Sequence, residues 1–266
     1  MQRLDTVGPA LLAVRQSEGT GAPVLLCHGN SMGAAIFDPL LDSPLGARYR
    51  MIAVDLPGHG DSPRNEERYT PPQLVQSLVE VAEALRLKRP ALVGHSLGGH
   101  LMIGVAQQLG AVRGVFAFGT PLLQSAAAAA EAFLPHPAVG LLFQGPLREE
   151  EQASLAALLA PGGGDDAALV LRLLRRTDAR FRSVLASALL AGHADEVAIA
   201  RGLDAPVALA HGSDDPLVNL AYLERLELPN LWRGKVQIID GAGHVPQLDA
   251  PDRLHSLLGE FLDEVA

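Results

Sequence analysis

The run Gly94-His95-Ser96-Leu97-Gly98 has the pattern G-x-S-x-G, with an aliphatic stretch before it and a helix-forming stretch after it. A serine hydroxyl is a weak nucleophile at neutral pH unless a base takes its proton. A tight strand-to-helix turn of this spacing lifts the hydroxyl clear of the sheet, and side chains on Gly94 or Gly98 would collide with backbone there. The helix that follows points its free N–H groups at the serine and favours a developing negative charge. The pattern alone arises readily by chance in a chain with 27 glycines; the strand-before, helix-after context gives it weight. The base has to be chosen among nine histidines by position. His244 closes the run Asp240-Gly241-Ala242-Gly243-His244, in a loop between the last strand candidate and the last helix candidate. His255 falls within that final helix, His136 and His193 read as surface residues of the middle segment with contact to a substrate as the alternative, and His28, His59, His95 and His100 read as structural or pocket-lining. The acid that would orient His244 is expected after the penultimate strand, in Gly212-Ser213-Asp214-Asp215-Pro216. Neighbouring side chains on a turn diverge, so one aspartate serves; the spacing from Gly212 favours Asp215, with Asp214 as the alternative. Phe118-Gly119-Thr120 offers no acid, and Asp249 and Asp252 suit capping and dipole roles at the last helix.

Acyl chemistry at a serine also needs donors for the oxyanion of a tetrahedral intermediate. Leu97, next after Ser96, supplies one N–H. The loop after an early strand, Cys27-His28-Gly29-Asn30, supplies the second, with Asn30 as candidate donor and Gly29 permitting close approach. The elements that must carry these residues are strand candidates at Ala10–Arg15, Pro23–His28, Tyr49–Asp55, Pro90–His95, Val112–Gly119, Ala205–His211 and Lys235–Asp240. Most are continuously apolar, as expected when helices cover both faces of a parallel sheet. Helices are predicted over Pro71–Leu87, Leu97–Leu109, Leu217–Leu226 and Pro251–Val265, the first with Thr70 as N-cap and Pro71 at the first helical position. Alternating strands and helices imply right-handed βαβ units and a mostly parallel sheet. From Leu122 to Gly202 no strand is predicted. That Ala- and Leu-rich stretch, broken by prolines, reads as short helices inserted above the crevice where open α/β sheets place ligands, a cap or lid. The division is 1–121 and 203–266 for the core and 122–202 for the cap.

The 266 residues are 48% hydrophobic and 19% charged, enough for a sizeable core. A net charge of −9 argues against a nucleic-acid partner. The basic clusters Arg172–Arg176 and Arg180–Arg182 read as solvated helix faces. Cys27, the single cysteine, excludes an intramolecular disulfide and reads as a small buried hydrophobe. No signal-like or membrane-spanning segment is evident, so a cytoplasmic, non-membrane protein is expected. No cluster has metal-ligand spacing, and neither metal nor organic cofactor is expected. Oligomeric state stays open.

Five segments together carry a family resemblance: His28-Gly29-Asn30, Asp55-Leu56-Pro57-Gly58-His59-Gly60-Asp61-Ser62, Gly94-His95-Ser96-Leu97-Gly98-Gly99, Gly212-Ser213-Asp214-Asp215-Pro216 and Gly241-Ala242-Gly243-His244. They resemble the α/β-hydrolase superfamily over nearly the whole chain apart from the cap. The resemblance implies a mostly parallel eight-stranded sheet with an inserted helical lid, a triad of Ser96, Asp215 and His244, an oxyanion hole at Asn30 and Leu97, and a structural turn at Asp55–Ser62. A serine nucleophile sets the chain apart from haloalkane dehalogenases and epoxide hydrolases, which use aspartate. It leaves carboxylesterases, lactonases, thioesterases, carbon–carbon hydrolases and cofactor-free perhydrolases, with hydrolysis of a small-to-medium carboxylic ester as the leading reading. A small-molecule sensor that retains the triad is the rival from another class. With aromatics at 4%, an interfacial lipase is disfavoured.

Overall fold

The computed structural model describes residues 3–265; positions 1, 2 and 266, which the core boundaries expected from the sequence include, lie outside the described residues. Eight strands form one sheet: β1 Arg3–Val7, β2 Leu12–Gln16, β3 Pro23–Cys27, β4 Arg50–Val54, β5 Ala91–His95, β6 Gly114–Phe118, β7 Val207–Gly212 and β8 Gln237–Ile239. Their order is β1-β2-β4-β3-β5-β6-β7-β8. β1 and β2 pair antiparallel, β2 pairs antiparallel with β4, and the remaining neighbours are parallel. β1 was not among the strand candidates; its sequence Arg-Leu-Asp-Thr-Val lacks the aliphatic run of a buried parallel strand because it lies at the sheet edge.

Every residue of β5, β6 and β7 is buried, which accounts for their continuously apolar sequences. Alternate residues of each strand go to opposite faces. On one face Leu25, Cys27, Leu92 and Val115 pack with Leu78 and Ile103 of the helices Pro71–Ala84 and Leu97–Leu109. On the other, Val24, Leu26, Val93 and Phe116 pack with Leu258 and Phe261 of the helix Pro251–Val265. Cys27 is fully buried, and burial pushes its thiol pKa well up, leaving it unreactive.

The helices Leu97–Leu109 and Pro251–Val265 have the predicted ends. Thr70 occupies the N-cap position of Pro71–Ala84 in extended conformation, but its side chain makes no capping hydrogen bond. The helix predicted over Leu217–Leu226 is confined to Leu220–Leu223. Its first residues are held elsewhere: Val218 forms an antiparallel bridge with Phe133, Leu134 N donates to Leu217 O at 2.8 Å and Asn219 N to Ala132 O at 2.9 Å, and the Asn219 side chain caps the shortened helix by accepting from Ala221 N.

Between β6 and β7 the described chain forms no strand of the sheet; it contains the helices Glu149–Leu159, Gly164–Arg176, Ala179–Ala191 and Glu196–Arg201. This segment leaves and rejoins the core at one place. The Glu196 N–H donates to the Leu123 carbonyl at 2.9 Å, and Glu196 Oε2 accepts from Leu123 N at 2.9 Å. Glu196 Oε2 also accepts from His100 Nδ1 at 2.8 Å, and its other oxygen faces His193 Nε2 at 3.4 Å. His193 is thus engaged by a buried carboxylate instead of lying free on the surface.

Candidate active site

The strand order reverses at β3: β4 lies on one side of it and β5 on the other. A crevice at the carboxyl ends of strands flanking such a switch point is where open α/β sheets hold ligands. The loop after β3 and the turn after β5 meet there, because Cys27 is paired with Gly94. Ser96 stands at the start of the helix Leu97–Leu109 with φ 49° and ψ −118°, a strained conformation for a non-glycine residue. The Ser96 N–H donates to Phe118 O at 2.9 Å, and Thr120 Oγ1 donates to Ser96 O at 3.0 Å, so β6 and its following residues hold the turn. The two glycines behave as expected from the sequence. A Cβ at Gly94 would stand 2.4 Å from Gly98 backbone, and one at Gly98 would stand 2.3 Å from the Cys27 carbonyl oxygen.

His244 and Asp215 arrive from the loops after β8 and β7. His244 Nδ1 lies 2.9 Å from Asp215 Oδ2, and His244 Nε2 lies 3.2 Å from Ser96 Oγ. Burial opposes charge on Asp215, but His244 and the N–H groups of Leu217 and Val218 outweigh it and hold its pKa down to about 2. An ionised carboxylate can only accept, so Nδ1 of His244 carries the proton and Nε2 is free to accept from Ser96. Asp214 is exposed, and its carboxylate accepts from Ser213 Oγ at 3.2 Å. Of the two aspartates, Asp215 is the one hydrogen-bonded to His244.

Two further residues brace His244. His95 Nε2 donates to the His244 carbonyl at 2.7 Å. The His95 ring is buried, which drives its pKa down to about 3 and keeps it neutral. Asp249 accepts from Gly243 N at 2.9 Å, and its own N–H donates to Val245 O at 3.1 Å, so it is tied to the residues on both sides of His244. That corrects the capping role expected for Asp249 at the last helix; its carboxylate is occupied with the histidine loop, while Asp252 does lie in the first turn of Pro251–Val265. His28 and His59 serve structure: Leu56 N donates to His28 Nε2 at 3.1 Å and Ser31 N to His59 Nε2 at 3.3 Å.

The loop after β3 comes close to the serine, since a Cβ on Gly29 would stand 2.9 Å from His95 Nδ1 and 3.3 Å from Ser96 Cβ. Asn30 and Leu97 lie on the two sides of this approach. Neither backbone N–H has a backbone acceptor among the described residues, whereas the Asn30 side chain is engaged: Nδ2 donates to Leu142 O at 2.6 Å. Sequence reasoning missed Arg182. It lies in a cluster read as a solvated face, yet only 3% of it is exposed. The rest of that reading holds for Arg176 and Arg180, which form exposed pairs with Asp61 and Glu66. A usable signal was the register of Ala179–Ala191, in which Phe181, Arg182 and Leu185 share the buried side.

A cavity of about 710 Å³ adjoins His244, lined by Asp214, Leu248 and Asp249 from the core and by His136, Leu158 and Asp166 from the inserted segment. His136, half-buried, is among the residues that line this cavity. Among the described residues no group of three metal-ligating side chains gathers, and no helix is long and apolar enough to cross a membrane.

A solved structure of a variant of the N-acyl homoserine lactonase AidH, complexed with N-hexanoyl homoserine, is 32% identical with a TM-score of 0.92, covering 100% of this chain and 96% of that one. A 2-(acetamidomethylene)succinate hydrolase of Mesorhizobium japonicum is 29% identical over 98% of this chain and 95% of its own length. A pimeloyl-[acyl-carrier protein] methyl ester esterase of Xanthomonas oryzae pv. oryzae is 28% identical over 93% of this chain and 97% of its own. The model of the alpha/beta hydrolase family matches residues 24–257. With that match over the strands from β3 to β8, the serine turn and the loop of His244, the chain belongs to the alpha/beta hydrolase family.

Proposed function

We propose that this hydrolase cleaves small-to-medium carboxylic esters or related acyl compounds through an acyl-enzyme on Ser96. The observation that carries the reading is the unbroken hydrogen-bonded series Asp215–His244–Ser96, with Ser96 on a strained turn at the crevice. Ser96 Oγ attacks the carbonyl carbon as its proton passes to His244 Nε2, and Asp215 stabilises the imidazolium. The N–H groups of Asn30 and Leu97 receive the oxyanion. His244 then returns the proton to the departing alcohol oxygen. A water molecule, deprotonated by the same nitrogen, attacks the acyl carbon; the carboxylic acid leaves and Ser96 recovers its proton. No metal or organic cofactor takes part. The segment 122–202 acts as the lid, a reading supported by its contribution to the cavity beside His244. Asp166, Asp214 and Asp249 in that lining disfavour an anionic group there and support a neutral or weakly polar small molecule as substrate.

A lactone, an ester closed on itself, is the second reading. It is supported by the likeness in both sequence and shape to the N-acyl homoserine lactonase. The test begins with a fluorophosphonate: Ser96 is labelled in the wild type, and Ser96→Ala loses both labelling and multiple turnover of short-chain nitrophenyl esters. Labelling at another residue, no labelling, or a single slow turnover with a ligand-dependent rise in Tm overturns the enzyme reading. A kcat/KM for N-hexanoyl homoserine lactone above that for the nitrophenyl esters selects the lactonase.

A further inference from the structure

Arg182, on the inserted helix Ala179–Ala191, is buried against the loop that follows β3. No carboxylate is within ion-pair distance of it among the described residues, and burial lowers its pKa. A buried guanidinium without a counter-charge is costly, so its hydrogen bonds indicate what it holds in place. Nε donates to Gln144 O at 2.9 Å, and Nη1 donates to Ser31 Oγ at 2.8 Å.

An arginine has donors only, and this sets the direction of everything beyond it. With its oxygen accepting from Arg182, the Ser31 hydroxyl gives its own proton to Asn30 Oδ1, 2.9 Å away. That contact orients the Asn30 amide, leaving Nδ2 to donate to Leu142 O. Asn30 is therefore clamped through both ends of its side chain by groups tied to the inserted segment. Ser31 also needs holding: its φ is 61°, left-handed backbone that disfavours a side chain.

We propose that Arg182 is a positioning residue for ester hydrolysis, acting through Ser31 to keep the Asn30 N–H aimed at the oxyanion; this rests on the reading of Ser96 as nucleophile. The inserted segment then does more than cover the crevice, because one of its side chains sets the geometry of the second oxyanion donor. Loss of an oxyanion donor outright slows turnover by roughly 10²- to 10³-fold, so loosening one costs less, about 10- to 100-fold.

The test compares Arg182→Met, Ser31→Gly and the double variant with the wild type, using a neutral nitrophenyl ester, the rate of fluorophosphonate labelling at Ser96, and Tm. Ser31→Gly is the safe variant for folding, since glycine suits the positive φ while the relay is cut. Each single variant is expected to lower kcat and the labelling rate about 10- to 100-fold with KM within about twofold. The double variant is expected to be no slower than the slower single one, as for two residues on one path. Wild-type labelling with unchanged rates in both single variants, or multiplicative losses in the double, overturns the positioning role alone. Absence of labelling in the wild type overturns the nucleophile reading, and the positioning role with it.

Discussion

Ser96 holds its hydroxyl up on a backbone that costs of the order of 1–3 kcal/mol, and that cost is met by the fixed contacts around the turn. The same tight environment separates the two aspartates that the sequence could rank only by spacing. Asp215→Asn presents His244 with a donor where it needs an acceptor and favours the wrong tautomer. A fall in kcat of about 10³- to 10⁴-fold is expected, with Asp214→Asn within a few-fold of wild type, both read from steady-state ester hydrolysis. Acid lability follows from the histidines. The pKa of His95 is pulled down to about 3 by burial, and those of His28 and His59 are also lowered by burial. The folded state then binds fewer protons than the unfolded chain, so stability is fully present above about pH 6.5 and is lost as pH falls towards 3. Replacing His95 by Asn removes one proton from that difference. The slope of unfolding free energy against pH in this window is expected to drop by about 1.4 kcal/mol per pH unit, measured by urea denaturation at several pH values. Ser96 and His244 were legible at this scale because each sits in a short motif next to its own element. Arg182 and Asp249 were not, because what defines them is a partner distant in sequence: Ser31 for one and the His244 loop for the other.

Among the elements, those read best have their boundaries written in local chemistry. Pro71 and Pro251 begin their helices, and the helix Leu97–Leu109 runs from the serine turn to Gly110, whose φ of 69° ends it. The failure at Leu217–Leu226 has a tertiary cause: the apolar spacing is helical, but Val218 bridges antiparallel to Phe133, and the Leu217 carbonyl and the Asn219 N–H are bonded to Leu134 and Ala132 instead of along a helix. β1 was missed because a strand at the sheet edge need not be apolar. Packing of β3 against the helix after Ser96 yields a sharp expectation. Gly98→Ala would place a methyl 2.3 Å from the Cys27 carbonyl oxygen, on backbone that cannot swing aside. A loss of about 3 kcal/mol or more, or failure to fold, is expected in thermal denaturation.

At the level of the whole molecule, the inserted helices share the core instead of resting on it. Phe181, Leu185 and Val197 belong to one face's apolar cluster, and Leu155, Val170 and Leu173 to the other's. Asp178 adds a buried polar tie, accepting from Tyr69 Oη at 2.9 Å while its N–H donates to Gly58 O at 2.7 Å. Tyr69→Phe withdraws a donor from that carboxylate and is expected to cost about 1–3 kcal/mol. The protein is also expected to unfold in one transition, with near-UV and far-UV circular dichroism coincident; separate transitions would mean that the insert melts alone. The meeting of Leu123 with Glu196 has a different kind of consequence. A segment whose two ends are stitched together by reciprocal hydrogen bonds can change in length and sequence without moving the strands it springs from. The junction is a natural crossover site, but foreign helices grafted there would have to replace both the hydrogen bond that Arg182 gives to Ser31 and the apolar side chains that Phe181 and Leu185 give to the core.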